Sequence, residues 1–303
     1  MIPFCAAVDW GTSSFRLWLL SKDGAVLAER RSDEGMMRAA GAGFDAVLER
    51  HLAGLGVEET LPVIICGMAG ARQGWREAGY LDTPADVADI IRNALVVDGY
   101  ARDVRILPGI AQRETSVPDV MRGEETQLLG LVADGVRSGL VCMPGTHSKW
   151  VTLGGSKVEG FSTYMTGELF DVLSRHSILS AAMGGASEIA SDDTAFLEAV
   201  KLGFTKPSSL SNLLFHVRSA QLLGFVPASD GAARLSGLLI GHELANAMAH
   251  RAAIEEVVLV ASGGLGALYR AGLERQGVVV RHCDAGDAAL RGLWSAAQAF
   301  WAD

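Results

Sequence analysis

Features that mark several common classes of protein are missing from this 303-residue sequence. No apolar run reaches the roughly 18 to 20 residues that cross a bilayer, and the N-terminus lacks the basic region and cleavage site of a signal peptide. Lys and Arg form no basic stripe, and the formal net charge is −9, which disfavours binding to polyanions. We therefore expect a cytoplasmic protein with no nucleic-acid or membrane partner.

Sequence motifs for metal, redox and common nucleotide sites are also absent. The four cysteines are widely spaced with no C-x-x-C pair, so we expect reduced, buried thiols. No G-x-x-x-x-G-K-[ST] occurs, which excludes a P-loop. The dinucleotide fingerprint fails because Tyr269 stands where the third glycine belongs. The "GHEL" segment near residue 241 has no second histidine at metal spacing, so zinc is not expected.

The sequence does contain interleaved strand and helix patterns. Apolar and turn patterns predict strands at 4–8, 15–20 and 25–30 in an antiparallel meander, helices at 44–56, 86–96 and 123–134, and further strands at 61–68 and 104–110. The polar stretch around Pro118 is typical of a linker. This alternation predicts an α/β protein.

The second half of the chain repeats the opening pattern. "VDWGTSSFR" and "MPGTHSKW" each place a Gly-Thr-x-Ser turn between an apolar strand and an aromatic-bearing strand, and a further turn and strand follow both. The repeat predicts two homologous lobes. Glycine admits a ligand close to the backbone, and Thr and Ser offer donors, so both turns suit phosphate oxygens. Asp9, at the end of the first strand, suits Mg²⁺.

A third glycine cluster, "GGLG", follows the apolar strand at 255–262 and leads into a helix. Free N–H groups point outward at a helix N-terminus, which suits an adenosine or an α-phosphate.

These three elements resemble the phosphate-1, phosphate-2 and adenosine motifs of the sugar kinase, Hsp70 and actin superfamily. "MRGEETQLLG", "MPGTHSKWV", "TYMTGEL" and "LSGLLIG" are more specifically similar to 2-dehydro-3-deoxygalactonokinases. The resemblance implies a two-lobed actin-like ATPase (ribonuclease H-like) fold, with duplicated mixed β-sheet lobes and an interdomain ATP cleft. We expect an N-terminal lobe at 1–118 and a C-terminal lobe at 119–303, with the last helix packing back near the hinge.

The resemblance implies transfer of the γ-phosphate of ATP, with Mg²⁺, to the 6-hydroxyl of 2-dehydro-3-deoxy-D-galactonate. Its site residues fall into four groups: Asp9 for the metal; Gly11, Thr12, Ser13, Gly145, Thr146, Ser148 and Lys149 for phosphates; Gly263, Gly264 and Gly266 for adenosine; and Arg16, Glu34, Gly35, Gly67, Met68, Arg122, Thr166 and Glu168 for the sugar acid.

A kinase of this type needs a base for the attacking hydroxyl. Glu124 and Glu125 begin the helix at 123–134, where free N–H groups favour carboxylates. A similar Glu-Glu pair in exopolyphosphatases makes Glu125 the first candidate and Glu124 the second, with Asp9 left if neither acts. For the substrate carboxylate, Arg16 and Arg122 match the motifs, and Arg72 is a third candidate. His147 is expected to cap the phosphate-2 turn.

Other functions remain open on sequence grounds. A kinase for a related keto-deoxy sugar acid would use the same elements, since epimers differ by one hydroxyl. A polyphosphate or nucleotide hydrolase would keep both turns and Glu125 without a sugar pocket. A sugar-responsive DNA-binding protein of this fold usually carries a separate DNA-binding segment, and we expect none before residue 8. A homodimer is common among such kinases, but the sequence leaves the oligomeric state open.

Overall fold

The computed structural model describes residues 2–184, 188–249 and 254–302. The chain forms two compact units. Unit 1 comprises Met1–Ser138, Thr152–Phe161 and Ala285–Asp303, and unit 2 comprises Gly139–Val151 and Ser162–Asp284. This division differs from the expected boundary at 118, because 119–138, 152–161 and the C-terminal helix cluster with unit 1.

Unit 1 is built around a six-stranded sheet of order β3-β2-β1-β4-β8-β7. Its elements up to residue 138 are β1 (Pro3–Trp10), β2 (Phe15–Ser21), β3 (Val26–Ser32), α1 (Met36–Ala42), α2 (Phe44–Ala53), β4 (Val63–Gly67), β5 (Tyr80–Asp82), β6 (Ala85–Asp86), α3 (Val87–Arg92), β7 (Leu95–Val96), β8 (Val104–Ile106), β9 (Gly109–Gln112), β10 (Asp119–Met121) and α4 (Glu124–Ala133).

The remaining elements follow in chain order. They are β11 (Gly139–Met143), β12 (Ser148–Gly154), β13 (Lys157–Tyr164), α5 (Thr166–His176), α6 (Thr194–Thr205), α7 (Leu210–Leu222), α8 (Gly231–Met248), β14 (Glu256–Val260), α9 (Gly263–Arg275), β15 (Val279–Cys283) and α10 (Ala285–Trp301). Strands β12 and β13 begin and end in different units, because residues 152–161 cluster with unit 1.

The first three strands form the expected antiparallel meander. In β1, Asp9 pairs with Arg16 of β2 on one side and, in parallel register, with Cys66 of β4 on the other. All five residues of β4 are buried, because helices and loops cover both faces of this central strand. The C-terminal ends of β1 and β4 therefore lie side by side, at Trp10 and Gly67.

Glycine allows α4 and α10 to pack closely within unit 1. A Cβ on Gly130 would lie 2.0 Å from the carbonyl oxygen of Ala288, and a Cβ on Gly292 would lie 2.0 Å from that of Thr126. Larger residues at either position would force the helices apart. The crossing fixes the start of α4, which carries the two candidate bases.

The predicted linker around Pro118 is wrong. Residues Asp119–Met121 form β10, which pairs antiparallel with β9, and β9 pairs in parallel with β5. The polar stretch at 113–118 is the turn between β9 and β10, and their pairing holds it inside unit 1.

Strands of unit 2 belong to a second six-stranded sheet of order β15-β14-β11-β12-β13-β6. Its strands β11, β14 and β15 are parallel, and α6 and α8 pack against each other through glycines. A Cβ on Gly241 of α8, for example, would lie 2.2 Å from the carbonyl oxygen of Val200 in α6. The core centres on Trp150, Phe196 and Tyr269.

Within the described ranges, no helix combines the length and apolar character needed to cross a bilayer.

Candidate active site

The first glycine-hydroxyl turn joins β1 to β2 in unit 1. The Gly11 N–H donates to the Ser14 carbonyl at 2.9 Å, which closes the turn. Thr12 and Ser13 are exposed at its tip. Two backbone N–H groups of α1 donate to carbonyl oxygens of the turn. Met36 N–H donates to Gly11 O at 2.9 Å, and Met37 N–H donates to Thr12 O at 3.1 Å. The tip is therefore a fixed loop that leaves hydroxyl groups free to face a ligand.

Asp9 lies directly before this turn and is partly exposed. The Cys66 thiol donates to its Oδ1 at 3.8 Å. Burial raises the pKa of Asp9 above its ordinary value, and Glu124 adds to this effect, while the Cys66 hydrogen bond and Arg16 oppose it. Because burial disfavours the ionised form of this carboxylate, a bound cation would stabilise that form.

The two glutamates at the start of α4 lie in different environments. Glu125 is 0% exposed; the Gly123 N–H donates to its Oε2 at 2.6 Å and the Thr126 hydroxyl to its Oε1 at 3.2 Å. Burial, with a contribution from Glu124, raises the pKa of Glu125 to about 8. Glu124 is partly exposed, and its Oε2 accepts from the Arg122 N–H at 3.1 Å. Both side chains accept from backbone N–H groups just before the helix, but Glu124 has the more accessible carboxylate.

The three candidate arginines also differ. Arg16 bonds Glu29 at 2.7 Å and lies over the Trp18 ring. Arg122 lies over the Tyr80 ring and donates from Nη2 to Gly79 O, but its Nε and Nη1 are buried without a hydrogen-bond partner. Arg72 is exposed, and no described residue pairs with it.

Arg72 projects from a rigid loop that begins where β4 ends. Gly67 has a φ of 87°, and a Cβ there would lie 2.6 Å from the Trp10 carbonyl oxygen. Met68 then starts a short 3₁₀ turn, and Trp75 N–H donates back to Ala69 O at 2.7 Å. Because β1 and β4 are parallel neighbours, this loop and the phosphate-1 turn leave the same edge of the sheet.

Glu34 and Gly35, predicted to face the sugar, lie at the start of α1. The Glu34 carboxylate contacts Arg50 and His51, and its carbonyl accepts from Trp10 Nε1 at 3.0 Å. Gly35 lies against the phosphate-1 turn. Both residues therefore have structural partners within unit 1.

The second glycine-hydroxyl turn, in unit 2, has some residues at the surface and others buried in the interior. Thr146 is exposed, and Gly145 is partly exposed. Ser148 is 0% exposed and shares a 2.9 Å hydrogen bond with the Tyr269 hydroxyl. The buried Lys149 donates from Nζ to His147 O at 3.0 Å. The phosphate contacts of Ser148 and Lys149 stay a prediction, and in this structure both side chains bond to neighbouring groups of unit 2.

The sequence patterns did not predict the buried polar network that adjoins this turn. Glu243 of α8 accepts from Trp150 Nε1 at 2.7 Å and from the Tyr269 hydroxyl at 2.6 Å. Burial raises the pKa of Glu243, and hydrogen bonds from Thr166 and its other neighbours oppose that rise. The available sequence signal was that Glu243 is the single acidic residue of α8 and follows an apolar run in that helix. Thr166, predicted to bind the sugar, takes part in this network.

His147 is exposed and Glu168 is partly exposed near the second turn. His147 Nε2 contacts Glu168 Oε2, and the Glu168 N–H donates to Thr146 O at 3.0 Å. The start of α5 therefore binds this turn in the way that α1 binds the first.

The third glycine cluster borders a cavity of about 590 Å³ within unit 2. Gly264 and Leu265, in the first turn of α9, lie on one side. Mainly apolar residues of α8 and both apolar and charged residues of α5, such as Phe170 and Asp171, lie on the others. Gly263 has a φ of 65° and precedes the cavity, while Gly266 packs against Ala261 instead of lining it. The cavity has the size and apolar character of a small-molecule site.

These features define an α/β protein with mixed sheets in two compact units and the actin-like ATPase fold. The sequence model of the family described as 2-keto-3-deoxy-galactonokinase matches residues 9–296. The chain belongs to this family, whose named members are kinases.

Two relatives with curated names support the assignment. One from Rhizobium meliloti (strain 1021), named 2-dehydro-3-deoxygalactonokinase DgoK1, is 57% identical over 98% of each chain. The 2-dehydro-3-deoxygalactonokinase of Escherichia coli (strain K12) is 37% identical over 94% of each chain. A crystal structure from Sinorhizobium meliloti, described as a 2-dehydro-3-deoxygalactonokinase protein, superposes with a TM-score of 0.96 at 57% identity, covering 98% of this chain and 99% of that one.

Proposed function

We propose that this protein is an ATP-dependent kinase that phosphorylates 2-dehydro-3-deoxy-D-galactonate at its 6-hydroxyl. The observation that carries the proposal is the grouping of Asp9, Glu124 and Glu125 near the first phosphate turn of a chain in this family. Phosphoryl transfer requires charge neutralisation, positioning and a base, and this group of carboxylates suits the first and third needs. The names of the relatives support the sugar acid as substrate.

Asp9 is the proposed metal residue. Among the described residues, no group of three or more His, Cys, Asp or Glu side chains forms a ready metal site. This fits Mg²⁺, which usually keeps several waters and takes one or two carboxylates together with substrate phosphates. When bound, Mg²⁺ would neutralise charge on the transferring phosphate. Asp9 would orient it directly or through its waters, while Gly11, Thr12 and Ser13 would bind phosphate oxygens.

Glu124 is the proposed base, which reverses the order expected from the sequence. A base must reach the proton that it removes, and Glu125 has no exposed surface. Glu124 is partly exposed and lies close enough to Asp9 to raise its pKa. Glu125 would instead hold the start of α4 through its bond to the Gly123 N–H.

Arg72 is the proposed ligand of the substrate carboxylate. Its exposure and lack of a described partner leave the guanidinium available, whereas Arg16 is paired and the free nitrogens of Arg122 are buried. An arginine can bind a carboxylate with two hydrogen bonds. The loop at 67–75 leaves the same sheet edge as the phosphate-1 turn, which favours Gly67 and Met68 as neighbours of the sugar.

Unit 2 is proposed to bind the adenine base and the ribose of the nucleotide. The apolar cavity beside Gly264 would take the adenosine, and the exposed backbone of Gly145 and Thr146 would contact phosphates. Both ligands of such a kinase are cytoplasmic metabolites, so we place the protein in the cytoplasm.

A coupled assay tests the proposal. Purified protein with Mg·ATP should release ADP with 2-dehydro-3-deoxy-D-galactonate, and a phosphate on the 6-hydroxyl should be seen by mass spectrometry and NMR. A panel of epimeric keto-deoxy sugar acids provides the matched comparison. Higher kcat/KM for another epimer would reassign the substrate, and equal ADP release without any sugar would indicate a hydrolase.

A further inference from the structure

The backbone of each phosphate turn contacts a glycine at the start of a helix. Gly35 precedes α1, directly after the third strand of unit 1, and Gly167 is the second residue of α5, directly after β13. Both positions lie at the N-terminal end of the helix that follows the third strand of each repeat. They lie 24 residues after Gly11 and 22 residues after Gly145.

Backbone contact leaves no room for a side chain at Gly35. A Cβ there would lie 2.5 Å from the N and the C of Ser13 and 2.5 Å from the N of Ser14. The φ of Gly35 is −62°, which any residue adopts, so the close approach alone requires glycine. The atoms in the way are backbone, which cannot move aside as a flexible side chain can.

Gly167 repeats this arrangement in unit 2. A Cβ there would lie 2.4 Å from the carbonyl oxygen of Gly145 and 2.8 Å from the Cα of Thr146. Hydrogen bonds accompany the contact in both units: Met36 N–H binds Gly11 O, and Glu168 N–H binds Thr146 O. The resemblance predicts that both segments face the sugar acid, but their backbones contact the phosphate turns.

We propose that Gly35 and Gly167 are positioning residues that set the shape of the two phosphate turns through backbone contact, and thereby set affinity for the nucleotide. The inference rests on the proposed role of these turns in binding ATP. It assigns the 34–36 and 166–168 segments an effect on nucleotide binding that a purely sugar-binding role would not produce.

The test measures Mg·ADP binding by titration calorimetry, without turnover. Gly35→Ala and Gly167→Ala should each raise the dissociation constant about tenfold or more, because the turn must shift to admit the methyl group. Gly41→Ala is the matched control, since it adds the same methyl in α1 with no atom within 4 Å, and it should stay within about twofold. Thermal unfolding confirms that each variant is folded.

A second pair of variants tests the hydrogen bond between α1 and the turn without changing a glycine. Met36→Pro deletes the N–H that binds Gly11 O, and proline is tolerated at the first position of a helix. The extended ψ of 179° at Gly35 also suits a residue before proline. Met36→Ala loses the same side-chain packing but keeps the donor. Weaker Mg·ADP binding for Met36→Pro than for Met36→Ala supports the proposal, even if Gly35→Ala does not fold.

The outcomes separate this inference from the proposed function. If the wild-type protein does not bind Mg·ADP, the nucleotide role itself fails. If it binds, and the folded Gly35→Ala, Gly167→Ala and Met36→Pro variants bind equally well, the positioning role is overturned. A selective rise in KM for the sugar acid, with unchanged nucleotide binding, would return both segments to the sugar site.

Discussion

Tyr269 donates its hydroxyl hydrogen to Oε2 of Glu243 at 2.6 Å, and both side chains are buried beneath the second phosphate turn. The same hydroxyl shares a hydrogen bond with Ser148, so one phenol connects α8, α9 and the first residue of β12. Buried polar groups of this kind are stable only while their partners remain, because an unpaired group loses its hydration without compensation.

Tyr269→Phe should therefore destabilise the protein by about 1 to 3 kcal/mol, since Ser148 and Glu243 each lose a partner. Urea unfolding measures the change. Glu243→Gln serves as a comparison, because it keeps the side-chain volume and an acceptor for Trp150. A Tyr269→Phe midpoint equal to that of the wild type would show that the network does not stabilise the fold.

The buried Glu125 should make stability depend on pH. Its pKa is raised from 4.5 to about 8, so folding favours the neutral form. The contribution of neutral Glu125 to the free energy of unfolding is fully present below pH 4.5. It is lost as the pH rises to about 8, because Glu125 loses its proton at a lower pH in the unfolded chain than in the folded protein. The shift corresponds to about 5 kcal/mol over this range. Glu125→Gln should flatten the decline, as measured by urea unfolding at several pH values; parallel curves would contradict the assignment.

Asp9→Asn should lower kcat a hundredfold or more, because a preorganised charge at the metal typically contributes about 3 kcal/mol in the transition state. The fold should persist, since burial already disfavours the charged form of Asp9. Steady-state kinetics across a range of Mg²⁺ concentrations measure the effect, with thermal unfolding as the control. Wild-type turnover in the folded variant would remove Asp9 from the site.

Glu124→Gln should abolish rapid phosphate transfer in a single-turnover experiment, whereas Glu125→Gln should retain most of it. Glutamine keeps the acceptor for the Arg122 N–H but cannot take a proton. A single-turnover measurement isolates the chemical step from product release. The reverse pattern would make Glu125 the base, and full rates in both variants would leave Asp9 as the remaining candidate.

Arg72→Met should raise KM for the sugar acid about tenfold with little change in kcat, because it removes a contact made in both ground and transition states. Arg137→Met is the matched control, since Arg137 is also exposed in unit 1 and has no partner among the described residues. Arg122→Met tests the motif-based alternative. An increase in KM for Arg122→Met alone would move the carboxylate site to Arg122.

Local patterns predicted much of the secondary structure. The meander of β1, β2 and β3 and the helices at 44–53 and 124–133 appear where apolar periodicity placed them, within three residues at each end. Periodicity succeeds there because it reports which face of an element is buried. It extended the helix predicted at 86–96 too far, because that helix ends at Arg92 and Leu95–Val96 form β7. It also missed β10 at 119–121, because pairing with β9 defines that three-residue strand.

The sequence by itself determined the family, the duplicated glycine-hydroxyl turns and the acidic residues around them, because these depend on residue identity and spacing along the chain. Tertiary structure alone decided which of those side chains are accessible. It buries Glu125 and leaves Glu124 partly exposed, turns Ser148 towards Tyr269, and places Gly35 against Ser13. Burial and backbone contact arise between segments that are distant in the chain, so no local pattern encodes them.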